Sequence, residues 1–207
     1  MDYLFNDEHL DLVREQVWEC KDDISVYGRL AEHELECFKE HLPETVHMSL
    51  EMGAGMGRGS IQLSKLYPDA WFVLADRQGR TKNEGIFFPE TDEYYNDFKM
   101  TESFCLLNKL RNFETFDTEE GDWNSLPLVD LITSRCAMGF HFPIDRYIDR
   151  LIEVSSPDVT MIFGVNCLFK DHERYEDRFK EVHFIGISPK EPFPHQSWLV
   201  LKGLKDA

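Results

Sequence analysis

The chain has 207 residues, 42% hydrophobic and 29% charged, which suits one α/β domain with a full core and excludes a disordered or membranous composition. Its formal charge is −17, from 39 acidic against 22 basic side chains, so phosphate backbones are repelled and nucleic acid is not an expected partner. No apolar run approaches the roughly 18–20 residues of a membrane span, and the start Met1-Asp2-Tyr3-Leu4 lacks the features of a signal peptide, so a cytoplasmic location away from membranes is expected.

Two helices are predicted first. Leu10, Val13, Val17 and Trp18 recur at helical spacing behind the acidic Asp7-Glu8. Tyr27, Leu30, Ala31, Leu35, Phe38 and Leu42 form a second stripe that stops before Pro43, with Ser25 as the expected N-cap. Residues 1–43 therefore read as an N-terminal helical extension covering an edge or mouth of a domain that spans 44–207. From Val46 the grammar alternates. A strand at Val46 to Leu50 leads into a glycine turn, Gly53 to Gly59, and a helix over Ser60 to Leu66. Trp71 to Ala75 is a continuous apolar run, as in a strand buried on both faces. Arg77 to Thr101 reads as a long irregular segment carrying Phe87, Phe88, Tyr94, Tyr95 and Phe98, an aromatic surface able to close over a substrate.

A helix is then expected near Glu102 to Leu110, with strands at Phe113 to Phe116 and Leu128 to Thr133. A helix over Ile144 to Val154, a strand over Thr160 to Val165 and a charged helix over Glu173 to Lys180 come next. Strands at Val182 to Ile187 and Ser197 to Leu201 end the chain. The fold class is α/β: a Rossmann-like, seven-stranded, mainly parallel sheet with helices on both faces, preceded by the N-terminal helices. The five cysteines are widely spaced and form no CxxC pair, so free thiols and no metal are expected.

The densest information lies in Leu50-Glu51-Met52-Gly53-Ala54-Gly55-Met56-Gly57-Arg58-Gly59. An apolar strand turns sharply into a helix here, the context in which a glycine turn holds a nucleotide-type ligand. A dinucleotide GxGxxG pattern beginning at Gly53 meets Arg58 at its third glycine, and one beginning at Gly55 meets Ser60. Asp76 closes the second strand, twenty-five residues after Glu51, where a carboxylate accepts ribose hydroxyls in either cofactor class.

Glu51-x-Gly53-x-Gly55-x-Gly57 resembles motif I of the class I S-adenosylmethionine-dependent methyltransferases. The resemblance extends in strand order over residues 44–202. It implies that Glu51 lies near the cofactor's methionine amino group, that Gly53, Gly55 and Gly57 pass beneath the cofactor, and that Asp76 holds the ribose. Gly121-Asp122-x-x-x-Leu126-Pro127 is similar to the family segment whose aspartate bonds the adenine amino group; Asp117, after the third strand, competes for that role. Ser134 ends the fourth strand on the cofactor side. His141 stands in the following loop, where many small-molecule members carry a histidine. An imidazole there can act as general base on a hydroxyl acceptor, or simply pack beside Pro143.

Tyr95, Asn96 and Arg135 are the candidate substrate contacts, and the Tyr94 to Phe104 segment is similar to bacterial sugar O-methyltransferases. The chain lacks an N-P-P-Y motif, which favours an oxygen acceptor in a small molecule over a base or glutamine nitrogen. A nicotinamide-dependent oxidoreductase, a non-methylating S-adenosylmethionine enzyme (lyase or cyclase) and a non-catalytic cofactor-binding protein remain as alternatives, and the oligomeric state is open.

Overall fold

The computed structural model describes residues 2–82, 93–186 and 196–205. In chain order the helices and strands are α1 (Asp7–Gln16), α2 (Ser25–Phe38), β1 (Met48–Met52), α3 (Arg58–Leu63), β2 (Trp71–Asp76), β3 (Gly79–Lys82), β4 (Glu93–Asn96) and α4 (Phe98–Leu107). Then come β5 (Phe113–Asp117), β6 (Val129–Ser134), α5 (Ile148–Glu153), β7 (Ser155–Asn166), β8 (Phe179–Ile185) and β9 (Gln196–Leu204), with short 3₁₀ turns between some of them. Among the described residues no helix is long and apolar enough to cross a membrane.

Local chemistry explains where the first elements begin. Asn6 and His9 form a reciprocal capping box at the start of α1, the side chain of each accepting the other's backbone N–H. Ser25 does not cap α2 as expected; it is the helix's first residue, and its own N–H and hydroxyl are taken by Asp23 Oδ1 at 3.0 and 2.6 Å. The preceding Ile24 makes no cap bond. Burial of Tyr27, Leu30 and Phe38 holds α2 instead, at roughly 1.5–3 kcal/mol per large side chain against about 1 for a cap.

The main sheet has seven strands in the order β5-β2-β1-β6-β7-β9-β8. The first five run parallel, while β9 is antiparallel to both β7 and β8. One face carries α1 to α4 on a core that includes Leu12, Leu30, Ile61, Phe72, Phe104 and Ile162. The other packs Ile148 and Leu151 of α5 against Leu50, Val73, Ile132 and Phe163. The N-terminal helices share the first core with the sheet rather than standing apart from it.

Three expectations are corrected. The charged stretch Glu173 to Lys180 is not an α-helix: a 3₁₀ turn over Asp171–Tyr175 leads directly into β8. Its arginines instead reach across to the 144–149 region, Arg174 to Asp145 and Arg178 to Asp149, and Lys180 and Glu181 point outward from an edge strand, where charge is well tolerated. The segment after Arg77 is less irregular than expected, because β3 and β4 pair as an antiparallel ribbon. Residues 83–92, with Phe87 and Phe88, lie outside the described residues. Finally, α4 starts at Phe98, ahead of Glu102, because Asp97 accepts the Lys99 N–H and caps it there.

Candidate functional site

The strand order reverses direction between β1 and β6, and the carboxyl ends of β1, β2 and β6 meet at that point. A crevice outside such strand ends is the ligand position of open α/β sheets. Register brings Glu51 beside Leu74 and Thr133, and Asp76 beside Asp117.

The turn after β1 places Gly53, Gly55 and Gly57 at φ +66°, +51° and +76°, a left-handed region that other residues rarely adopt. At two of these positions the protein itself also forbids a side chain. A Cβ on Gly53 would lie 2.1 Å from Ala137 Cβ, and one on Gly57 would lie 2.5 Å from Leu74 Cδ2. Gly53 and Ala54 N–H both donate to Ala75 O at 2.8 and 3.1 Å, which ties the turn to β2.

Asp76 completes that fastening. Its Oδ2 accepts from Gly55 N at 2.7 Å and its Oδ1 from Arg77 N at 2.8 Å. Burial pushes its carboxyl up to about 6, against the opposing pull of those two N–H groups. Each oxygen retains a lone pair for a further donor. Glu51 is buried as well. Its Oε2 accepts from both the backbone N and the hydroxyl of Ser60 at 2.7 Å, and burial raises its pKa although Arg135 and Ser60 oppose it.

Arg135 and Arg58 share the floor with Glu51. Arg135 donates Nη1 to Glu34 Oε2 and Nη2 to Gln62 Oε1, both at 2.8 Å, while Arg58 Nη2 donates to Glu34 Oε1 at 2.7 Å. The Arg58 guanidinium lies 5.2 Å from the Tyr27 ring centroid. On the far wall Arg77 lies over the Phe142 ring at 4.6 Å and bonds Tyr147 Oη at 3.1 Å and Glu119 Oε1 at 3.0 Å.

One cleft unites much of this. Glu51, Gly53, Gly55, Asp76, Arg135 and His141 all line it, with Gln16, Val17, Tyr27, Arg58, Arg77, Cys136, Ala137 and Phe142. A smaller hollow continues past Arg77 to Thr118 and Tyr147.

The other sequence candidates stand elsewhere. Gly57 packs between β2 and α4. Ser134 is buried, and its Oγ accepts the Met138 N–H at 3.0 Å, pinning the loop that carries His141. Asp117 accepts the N–H groups of Glu119 and Glu120 at 2.9 and 3.1 Å, and exposed Asp122 caps the 3₁₀ turn Trp123–Ser125. Both aspartates bond the backbone of a following turn, and neither is among the residues that line the cleft. Tyr95 and Asn96 sit behind Gln16, whose Nε2 donates to Tyr95 O at 3.0 Å and Asn96 Oδ1 at 3.3 Å.

Gln16, Tyr27, Glu34, Arg58 and Arg77 were not singled out from sequence. Glu34 offered a signal: a carboxylate at helical spacing within the apolar stripe of Tyr27, Leu30, Ala31 and Phe38. Among the described residues no group of three or more His, Cys, Asp or Glu is placed to hold a metal ion.

No protein-family model matches the sequence, and no curated protein is significantly similar to it. Solved structures do share the architecture. Precorrin-6y C5,15-methyltransferase from Geobacter metallireducens superposes with a TM-score of 0.53 at 16% identity, over 86% of this chain and 87% of that one. An O-methyltransferase family protein from Burkholderia thailandensis gives 0.53 at 10% identity, over 87% of this chain but only 55% of its own length. M. jannaschii TYW2, solved in complex with AdoMet, gives 0.52 at 16% identity, over 89% of this chain and 76% of that one. The chain therefore has the fold of the class I S-adenosylmethionine-dependent methyltransferases.

Proposed function

We propose that this chain is an S-adenosylmethionine-dependent methyltransferase that acts on a hydroxyl oxygen of a small molecule, with a sugar hydroxyl as one candidate acceptor. The observation that carries the reading is the convergence of Glu51, the glycine turn and Asp76 on one cleft at the sheet's reversal point. The residues fit the cofactor: two buried carboxylates keep accepting capacity there, and the competing dinucleotide pattern needs glycine where the buried Arg58 stands. M. jannaschii TYW2, of the same fold, is solved with AdoMet.

In this reading Asp76 accepts from the ribose hydroxyls and Glu51 faces the methionine amino group. Asp117, the register partner of Asp76, is better placed for the adenine amino group than Asp122, since its neighbour Thr118 lines the hollow beyond Arg77. When bound, S-adenosylmethionine supplies an electrophilic methyl group, whose bond to sulfur breaks as the bond to the acceptor oxygen forms, leaving the electron pair on sulfur. His141, which lines the same cleft, takes the hydroxyl proton. The cleft walls hold the acceptor in line, from which most of the acceleration of such a displacement comes.

A small acceptor agrees with the charge. At −17 the chain opposes approach of a polyanion such as nucleic acid. The test is calorimetry followed by catalysis. S-adenosylhomocysteine should bind and NADH should not; methyl-labelled S-adenosylmethionine should then label hydroxyl compounds in a metabolite extract. Binding of NADH without S-adenosylhomocysteine would overturn the reading, and label found only on nitrogen or carbon would overturn the hydroxyl acceptor.

A further inference from the structure

Gln16 is the last residue of α1 and lines the cleft, although α1 is not one of the strand ends that build it. Its side chain is fixed from both directions. The helix is anchored by the buried His9, Leu12 and Val13. The amide is anchored by the β3–β4 ribbon: Nε2 donates to Tyr95 O at 3.0 Å and to Asn96 Oδ1 at 3.3 Å, so both of its hydrogens are used. A main-chain carbonyl only accepts, so the amide nitrogen and not its oxygen faces Tyr95. Thr101, 3.5 Å from Asn96 Oδ1, donates its hydroxyl to Gly55 O at 2.7 Å and ties this arrangement to the glycine turn.

That leaves Oε1 of Gln16. Among the described residues nothing donates to it, and it is not one of the buried polar atoms without a partner, so it stays accessible on a half-buried side chain. The ribbon that holds Gln16 follows β2, the loop of His141 follows β6, and those two strands flank β1. Gln16 and His141 therefore reach one cleft from its two sides. A neutral accepting oxygen, fixed in direction and open to the cleft, suits a hydroxyl donor. A sugar-like acceptor carries hydroxyls beside the one that reacts, and holding one of them decides which oxygen meets the methyl group.

We propose that Gln16 is a specificity-determining residue: its Oε1 accepts a hydrogen bond from a non-reacting hydroxyl of a polyhydroxylated methyl acceptor and so selects the oxygen that is methylated. This rests on the methyltransferase reading above and adds how the acceptor is oriented. Tyr95 and Asn96 are positioning residues, acting on the ligand only through the Gln16 amide. The N-terminal helical segment is thereby part of the acceptor site, since α1 carries the group that orients the substrate.

The probe is methyl-labelled S-adenosylmethionine with a metabolite extract, given to the parent chain and to Gln16→Met, which keeps the side chain's length and removes its polar atoms. The parent's product is isolated and the methylated oxygen located. Gln16→Met should bind S-adenosylhomocysteine as the parent does, raise the KM for that acceptor about three- to tenfold, and spread the label over neighbouring oxygens. A deoxy analogue lacking the held hydroxyl should be poorer for the parent by the same factor and no poorer for the variant. An acceptor with a single hydroxyl, an unchanged KM and label position in Gln16→Met, or a deoxy penalty that persists in it overturns the proposal. Weaker S-adenosylhomocysteine binding by the variant with the acceptor's KM unchanged assigns Gln16 to the cofactor's ribose and overturns it too. The deoxy analogues need no variant to fold: if the parent uses each of them as well as the acceptor, no neighbouring hydroxyl is held and the proposal fails. If the parent labels no hydroxyl compound at all, the function reading above has failed instead.

Discussion

Asp76 offers the sharpest test, because its state of charge and its role are linked. Buried at the end of β2, its carboxyl is pushed up to about 6 by desolvation. Ribose hydroxyls donate to the ionised form, whereas the protonated acid carries an O–H of its own and loses accepting capacity. A single such group makes the apparent affinity fall about tenfold per pH unit below its pKa. S-adenosylhomocysteine should therefore bind roughly tenfold more weakly at pH 5 than at pH 7, and almost equally at pH 7 and pH 8. Stability runs the other way. The folded-state pKa is raised, so the native state holds the extra proton, and that contribution is complete below about 3.9 and lost as pH rises through about 6. A displacement of that size corresponds to about 3 kcal/mol, which the ionised group costs the fold at neutral pH.

Asp76→Asn removes the charge, at the expense of one backbone N–H left without its acceptor, about 1–3 kcal/mol. The two effects nearly cancel, so the variant should melt within a few degrees of the parent at pH 7. Its affinity for S-adenosylhomocysteine should drop at least about tenfold, and the pH 5–7 slope should flatten. Calorimetry across pH 5–8 on both proteins checks this. A parent affinity flat from pH 5 to pH 8, or an Asn variant that binds as well as the parent at pH 7, would refute the ribose assignment.

Gly53→Ala forces a Cβ against Ala137 Cβ at 2.1 Å and strains a φ of +66°, so its melting temperature should fall and S-adenosylhomocysteine should no longer bind. Adding Ala137→Gly should restore part of the melting temperature, because it frees the space but not the φ; no recovery would mean that the contact is not what selects glycine. His141→Ala should leave S-adenosylhomocysteine affinity nearly unchanged while turnover falls about 10²-fold or more. The rise of rate with pH near neutrality should vanish in the same variant, and full turnover with an unaltered profile would leave His141 a packing residue.

What could be read from the sequence depends on how far apart the interacting residues lie. The meeting of Glu51, Gly53, Gly55 and Asp76 at one cleft is legible because it follows from strand ends, and a strand end can be located from a short apolar run. Even here the cause was only half visible. Gly53 and Gly57 answer to Ala137 and Leu74, which no local pattern connects to the turn. Asp117 and Asp122 mark the limit from the other side: an aspartate after a strand or before a turn looks the same whether it meets a ligand, the backbone N–H two residues on, or both.

The arginine cluster was out of reach for a stronger reason. Glu34 lies 24 residues from Arg58 and 101 from Arg135. A charged residue on a helix is ordinarily a solvated one, and only its place within an apolar stripe marks Glu34 as different. Three buried charges from α2, the glycine turn and the end of β6 make sense only once the chain is closed. With Arg58 and Arg135 in place, leucine at position 34 would leave two buried cations without their carboxylate, which costs more than its packing would gain. The two arginines that Glu34 holds both line the cleft, so the cluster fixes the floor on which the site is built.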